Sequence, residues 1–149
     1  MPRSFEWQTR MKAVEREYVA MHQAADHFKR AASRDPSILQ EGLRLREIVD
    51  ALDRLEATYM IRLFAEFESG ARQYWASTRD THPRTADLLD ALAARRRIPD
   101  TQRQNAHVVR EYRNKLVHER EAEKKEESGV IKTARGYLCH FFSFLPAEW

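Results

Sequence analysis

The apolar residues near the start of the chain recur at every third or fourth position, and this spacing constrains the fold more than any other feature. No glycine or proline lies between Phe5 and Ala32, where the larger apolar residues are Trp7, Met11, Val14, Tyr18, Met21, Ala25 and Phe28. Such spacing places these side chains on one face of a helix. Pro36 then ends the helix, because the residue before a proline avoids the helical conformation.

A second helical segment begins near Ser37 or Gly42 and runs to about Trp75. Its first half is amphipathic, but residues 57–67 are apolar on nearly every side, which is typical of the central helix of a bundle. Gly70 is expected to allow a close contact between this helix and a neighbour, at a modest cost in helix propensity.

A narrow polar stripe runs along one face of this central helix, with its residues three or four positions apart. It consists of Thr58, Arg62, Glu66, Ser69 and Gln73. The stripe has two interpretations. It is either the solvent face of the helix or the lining of a functional groove. In the groove, Glu66 would orient a base and Arg62 would add positive potential.

The sequence pattern in the second half of the chain predicts three more helical segments. Thr85 is expected to cap a short helix that ends in three arginines, and Asp100 or Thr101 to start a helix that continues beyond residue 112. Residues 119–128 are nearly all charged and predict a solvated helix extension or a mobile loop. A final hydrophobic helix is predicted over residues 130–145, before Pro146.

The composition supports a single all-α domain. Four glycines and five prolines in 149 residues are too few for a turn-rich β fold. A chain of this length can bury a core without disulfides or metals. The predicted fold is therefore an antiparallel helical bundle of about four to five helices with a long central helix, forming one domain over residues 1–149.

Several site types and segments are excluded by the residues present. The single cysteine, Cys139, allows neither an intrachain disulfide nor a cysteine metal site, and the six histidines lack ordinary zinc spacing. No phosphate-binding glycine loop or nucleophile elbow occurs, so no cofactor and no metal are expected. The N-terminus lacks the apolar region of a signal peptide, and no apolar run approaches a membrane span of roughly 18 residues. A cytoplasmic protein without membrane contact is expected.

The segment E-Y-R-N-K-L-V-H at residues 111–118 holds the strongest functional candidates. Asn114 and His118 are four residues apart and share one helical face, while Arg113 lies about 140° around the axis from His118. An imidazole can transfer a proton near neutral pH, and a guanidinium can stabilise the developing charge of a phosphodiester transition state. The same residues also fit a solvated basic helix end that complements the helix dipole.

The run Arg113-Asn114-Lys115-Leu116-Val117-His118 resembles the R-N-x-x-x-H form of the motif of the HEPN superfamily, which comprises small all-α domains of prokaryotic defence and toxin–antitoxin systems. The preceding Tyr112 and the place of the motif before a last hydrophobic helix fit this resemblance. One departure is that His118 is followed by Glu119 and Arg120 rather than by the His-x-Tyr continuation of some members. This argues against regulation by modification of a tyrosine at that place.

The resemblance implies a dimeric endoribonuclease that needs no metal, with Arg113 and His118 as catalytic residues and Asn114 as a polar helper. A protein antitoxin or inhibitor is a further partner that such systems imply. The sequence adds Phe141, Phe142, Phe144 and Leu145 near the C-terminus, which are more aromatic than one buried face requires. Part of that surface is expected to be core and part to contact a second chain.

Basic residues outside the catalytic candidates suggest where RNA would bind. The net charge of +3 is only a mild tilt toward anionic partners. The arginines at positions 95, 96 and 97, together with Lys115, are candidate RNA contacts, although cations at a helix C-terminus also favour the helix dipole.

Two function classes remain open on these grounds. The first is a toxin or phage-defence endoribonuclease that cuts RNA through its 2′-hydroxyl. The second is a non-catalytic helical RNA-binding or adaptor module. The sequence defines neither the RNA target nor the trigger nor the identity of an antitoxin, and it leaves open whether the polar stripe faces solvent or the groove.

Overall fold

A computed structural model describes residues 3–118 and 129–149 of the chain. Within these ranges the helices are α1 (Ser4–Arg34), α2 (Leu45–Thr78), α3 (Thr85–Arg96), α4 (Asp100–His118) and α5 (Val130–Phe142), with a short 3-10 turn at Pro36–Ile38. The predicted all-α class is confirmed. The charged segment expected at 119–128 lies outside the described residues. No helix in the described ranges combines the length and hydropathy that crossing a lipid bilayer requires.

The two long helices, α1 and α2, lie side by side and run antiparallel. Trp7 Nε1 donates a hydrogen bond of 3.2 Å to Gln73 Oε1. Further along, the Tyr18 hydroxyl donates a bond of 2.9 Å to Glu56 Oε2. The sequence separation between the paired residues falls from 66 to 38 along the pair, as it must when two helices run in opposite directions.

All five helices contribute to the hydrophobic core, and a cluster of phenylalanine rings lies where α2 meets α5. The Phe67 ring centroid lies 5.6 Å from that of Phe64, 5.6 Å from that of Phe141 and 6.2 Å from that of Phe142. All four side chains are fully buried. Aromatic pairs at these distances add to the stabilisation from apolar burial.

The C-terminal apolar residues belong to the core, as was expected for part of them, and the expected surplus for a second chain is largely buried as well. Phe141, Phe142 and Leu145 are buried within the chain, and Phe144 is half-buried. The physical reason is that α5 packs against three helices, α1, α2 and α4, rather than against one. These aromatic side chains therefore give no argument for a second chain.

The outer parts of α1 and α2 form a two-helix extension, made of residues 15–34 and 45–56. Within it only Ala32 is buried, and the buried residues of α2 begin at Ala57. Apolar side chains of the extension such as Phe28 and Leu52 are half-buried. The extension therefore rests mainly on contacts between the two helices themselves.

Gly70 packs closely against residues of α1 and α5, as the sequence predicted. A Cβ atom at Gly70 would lie 2.8 Å from Cζ of Phe142 and 2.8 Å from Cδ2 of Trp7. Neither ring can easily move away, because both are buried in the core. The missing side chain is what allows the three elements to pack this closely.

Gly70→Ala is expected to destabilise the protein, against the usual trend for helices. An alanine normally stabilises a helix interior by about 1 kcal/mol relative to glycine, but overpacking a core costs about 1–3 kcal/mol. The balance of the two effects is a fall of up to about 2 kcal/mol in the free energy of unfolding in urea. Gly136→Ala in α5 is the control, since nothing lies within 4 Å of its Cβ position. A stabilising Gly70→Ala would contradict the packing described.

Candidate active site at the end of helix α4

Helix α4 presents one apolar face to the core and carries the Arg-Asn-x-x-x-His motif in its last two turns. Its buried residues are Ala106, Val109 and Leu116. Leu116 anchors the motif as expected, whereas Val117 is exposed. The helix is regular through His118, so Arg113 and His118 leave it in directions about 140° apart.

Arg113 points toward α2. Its guanidinium carbon lies 4.6 Å from the centre of the Phe64 ring, and its Nη2 lies 3.7 Å from Glu68 Oε2. The side chain is 24% exposed, and its Nε is buried without a hydrogen-bond partner among the described residues. A guanidinium above an aromatic ring is held by a cation–π interaction. Arg113 is therefore fixed in place while part of its hydrogen-bonding capacity is unused.

Glu68 joins three helices at this point. Its Oε1 accepts bonds from Thr85 Oγ1 at 2.6 Å and from Arg72 Nε and Nη2 at 3.0 and 2.8 Å. Arg72 Nη1 also donates to the carbonyl of Pro83 at 3.0 Å. Thr85, expected to cap α3, is instead its first helical residue, with Arg84 at the N-cap. The network connects α2, α3 and α4 behind the motif.

The Glu68 carboxyl is ionised more easily than an exposed one. Burial raises its pKa, but the hydrogen bonds from Thr85 and Arg72 and the charges of Arg72 and Arg113 outweigh burial. The pKa of Glu68 therefore lies below its ordinary value of 4.5. A fixed negative charge beside two arginines leaves this cluster with a net positive charge.

Glu68→Gln is expected to destabilise the protein at neutral pH and to do so less in acid. Because its pKa is lowered in the folded state, Glu68 stabilises the protein fully above its unfolded pKa, and this contribution is lost as the pH falls through the lower folded value. We expect a loss of about 1–3 kcal/mol at pH 7, as for removal of charged hydrogen bonds. Urea unfolding from pH 7 to pH 3 would measure it.

Glu66→Gln is the matched control for that experiment, two residues away on the same helix. It is expected to change the free energy of unfolding by less than about 0.5 kcal/mol. Equal effects of the two substitutions, or a Glu68→Gln deficit that grows in acid, would contradict the network described.

His118 and Asn114 lie on a different side of α4 from Arg113. His118 is exposed at the end of the helix, and Asn114 is half-buried one turn earlier on the same face. An exposed imidazole is accessible to a polymeric substrate. Within one chain the motif therefore presents an accessible base with a neighbouring amide, and separately a fixed cation.

The polar stripe of α2 is largely solvent-exposed, with Glu66 half-buried, and two of its residues contact α1. Arg62 Nη1 pairs with Glu17 Oε2 of α1 at 2.7 Å, and Gln73 accepts the bond from Trp7. Glu66 lies about 160° around α2 from Glu68, which is the carboxylate beside Arg113. The structure therefore brings neither Arg62 nor Glu66 together with the motif residues that it describes.

The remaining RNA-binding candidates are exposed. The arginines at positions 95 and 96 end α3, Arg97 follows it, and Lys115 lies on the outer side of α4. Arg96 Nε donates a bond of 3.0 Å to the carbonyl of Phe144. Arg96 thus lies next to the segment that follows α5.

Sequence reasoning missed the role of Glu68. The Glu68 and Arg72 pair has the spacing of an ordinary surface ion pair, which usually contributes little. The signal available was that Phe64 and Glu68 are four residues apart. The cation–π partner and the ionic partner of Arg113 therefore lie on one face of α2. Among the described residues, no three acidic, histidine or cysteine side chains are grouped to hold a metal ion.

No family model, curated protein or solved structure matches the chain. The HEPN resemblance therefore rests on the Arg-Asn-x-x-x-His motif and on its position in an all-α chain.

Proposed function

We propose that the chain is an endoribonuclease of the toxin–antitoxin or phage-defence type that cleaves RNA without a metal ion. The observation that carries this proposal is the motif at the end of α4, where His118 is exposed and Arg113 is held on Phe64 with an unpartnered Nε. A cytoplasmic location and a protein antitoxin or inhibitor belong to this type of system.

The chemistry uses the nucleophile that RNA itself provides. The 2′-oxygen attacks phosphorus, the bond from phosphorus to the 5′-oxygen breaks, and the products are a 2′,3′-cyclic phosphate and a 5′-hydroxyl. His118 removes the proton of the 2′-hydroxyl or protonates the leaving oxygen. Arg113 stabilises the added charge on the phosphate, and Asn114 orients the imidazole or a phosphate oxygen.

Arg113 keeps enough free capacity for this role. Its distance of 3.7 Å from Glu68 is longer than a hydrogen bond, so that contact orients the guanidinium without using its donors fully. Cation–π contact with Phe64 restricts the side chain further. A cation that is already oriented costs less to reorganise when charge develops on the phosphate.

A homodimer completes the site in this proposal. Because Arg113 and His118 diverge by about 140° on one helix, a two-fold axis beside α4 would bring Arg113 of one protomer and His118 of the other to the same phosphate. Two-fold symmetry would then create two equivalent sites, each with one Arg113 and one His118. Light scattering that shows a monomer in an active preparation would exclude this arrangement.

Product analysis on purified protein tests the chemistry. Cleavage of a single-stranded RNA should persist in EDTA and leave a 2′,3′-cyclic phosphate and a 5′-hydroxyl. A substrate with 2′-deoxyribose throughout should remain intact, because it lacks the attacking group. A requirement for magnesium, or equal cleavage of the 2′-deoxy substrate, would overturn the proposed active site.

A second candidate function is a non-catalytic RNA-binding or adaptor module. The observation that favours it is the orientation of Arg113 toward Phe64 and Glu68, which also serves to hold α4 on α2. Expression of wild type and His118→Ala in cells separates the two. Toxicity that disappears with His118→Ala in a folded protein supports the nuclease, whereas RNA binding without cleavage in both supports the module.

A further inference from the structure

The end of α3 and the end of α5 form one surface that the proposed chemistry does not use. We call it the arginine–aromatic surface, and it consists of Arg95, Arg96, Arg97, His140 and Phe144. The His140 and Phe144 rings are stacked, with centroids 5.7 Å apart and an interplanar angle of 22°. The bond from Arg96 Nε to the Phe144 carbonyl places Arg96 beside the ring pair, and Arg95 and Arg97 are its neighbours in the chain.

This surface offers two kinds of contact at once. The three arginines are exposed, and His140 is exposed while Phe144 is half-buried beneath it. Guanidinium groups bind phosphate oxygens through a planar fork, and a flat ring supported from behind can stack on a nucleobase. Carboxylates alone would match only the arginines, whereas phosphates and unpaired bases of one strand match both features.

Arg97 occupies a backbone conformation that suits glycine better. It terminates α3 with φ 51° and ψ 43°, the left-handed region, and the Ile98 amide closes the turn by bonding the Ala93 carbonyl at 2.9 Å. A side chain disfavours this conformation, and glycine is the usual residue at such a helix end. An arginine at a position where glycine would be more stable is consistent with a use for its side chain, and its place beside Arg96 makes phosphate binding the use to test.

We propose that the arginine–aromatic surface binds single-stranded RNA, with phosphates on the arginines and one base stacked on His140. The inference rests on the proposed function for the choice of RNA, and it adds that the substrate is held as an unpaired strand at a place distinct from the motif. Base stacking requires an unpaired base, since paired bases in a duplex expose only their edges.

The binding experiment uses the full chain with His118→Ala, so that RNA stays intact, and a fluorescently labelled 12-nucleotide uridine RNA. Anisotropy should show that Arg95→Gln with Arg97→Gln weakens binding at least tenfold. The double substitution should also reduce the slope of the logarithm of the binding constant against the logarithm of the salt concentration by about 1.4. This value corresponds to two lost phosphate contacts on a single strand. Arg46→Gln is the control, because its side chain is 89% exposed on α2, on the two-helix extension.

Substitution of His140 tests stacking separately from charge. His140→Ala should weaken binding of the uridine RNA at least fivefold, since stacking on one ring contributes at least about that much. His140→Phe should keep the affinity of the unmodified surface. Heparin, which has charge but no bases, should bind His140→Ala and His140→Phe equally.

Arg97→Gly is expected to raise the stability of the protein and to weaken its binding of RNA. Removing the side chain from a left-handed position should raise the Tm by about 3 °C. The same change should weaken RNA binding about threefold or more. A purely structural arginine would leave binding unchanged, and a misfolded variant would lose Tm instead of gaining it.

The outcomes separate this inference from the proposed function. Unchanged RNA affinity in the Arg95/Arg97 double variant, or equal affinity for polyglutamate and RNA, would overturn the binding surface even if the protein cleaves RNA. If the Arg95/Arg97 double variant binds RNA more weakly as expected but the wild-type protein does not cleave RNA, the surface is supported and the nuclease is overturned.

Discussion

Arg113→Ala is expected to reduce the rate of RNA cleavage by about 10²–10³, because removal of one charge-stabilising donor typically costs that much. Arg113→Lys should restore only part of the rate. An ammonium supplies the charge but not the planar fork, and it stacks less well on Phe64. Single-turnover kinetics with excess enzyme measure the chemical step directly.

The control for this experiment is a variant that disturbs the same cluster without removing the cation. Glu68→Gln loosens the contacts behind Arg113 but leaves its guanidinium intact. If the loss of rate came from the fold, the two substitutions would reduce activity in proportion to their loss of stability. A folded Arg113→Ala variant with the wild-type rate would remove Arg113 from the proposed chemistry.

Phe67→Ala is expected to lower the free energy of unfolding by about 3–5 kcal/mol, the usual range for removal of a buried phenylalanine. Its ring touches three other buried rings, so the cavity left behind cannot close without moving α5. For a protein with ordinary stability this is a large fraction of the total. Urea unfolding followed by circular dichroism would measure the change.

Phe5→Ala is the matched control, since the same side chain is 70% exposed on α1. It should change the free energy of unfolding by less than about 0.5 kcal/mol. A similar loss for both substitutions would mean that the ring cluster around Phe67 is not the centre of the fold.

The helices were predictable because helical periodicity is a local property of the sequence. Apolar residues at intervals of three and four in α1 and the start signals at Thr85 and Asp100 place helix ends to within a few residues. Gly70 was also predictable, since a glycine inside a long apolar helix weakens that helix unless a neighbour packs closely against it.

What could not be predicted depends on how helices are placed around one another. Glu66 and Glu68 are equally polar in the sequence, and only the position of α4 decides which of them reaches Arg113. The C-terminal phenylalanines were expected to be more than one buried face of α5 could hold. The sequence does not show how many helices surround α5, because that number is not a local property. The divergence of Arg113 from His118 was predictable from helix geometry, but the partner that Arg113 meets was not.

The two-helix extension implies that the chain does not open uniformly. The two helices of the extension are held mainly by each other, apart from Glu15 and Glu56 at its base, which bond to Arg135 and to the Val130 amide of α5. The segment of α2 around Phe67, in contrast, is surrounded by other helices. Backbone amides in residues 20–30 should therefore exchange their hydrogens with solvent through local fraying. Amides around residues 60–67 should exchange only through global unfolding. The long helices thus span two cooperative units, and a partner that clamps the extension would slow exchange there without touching the core.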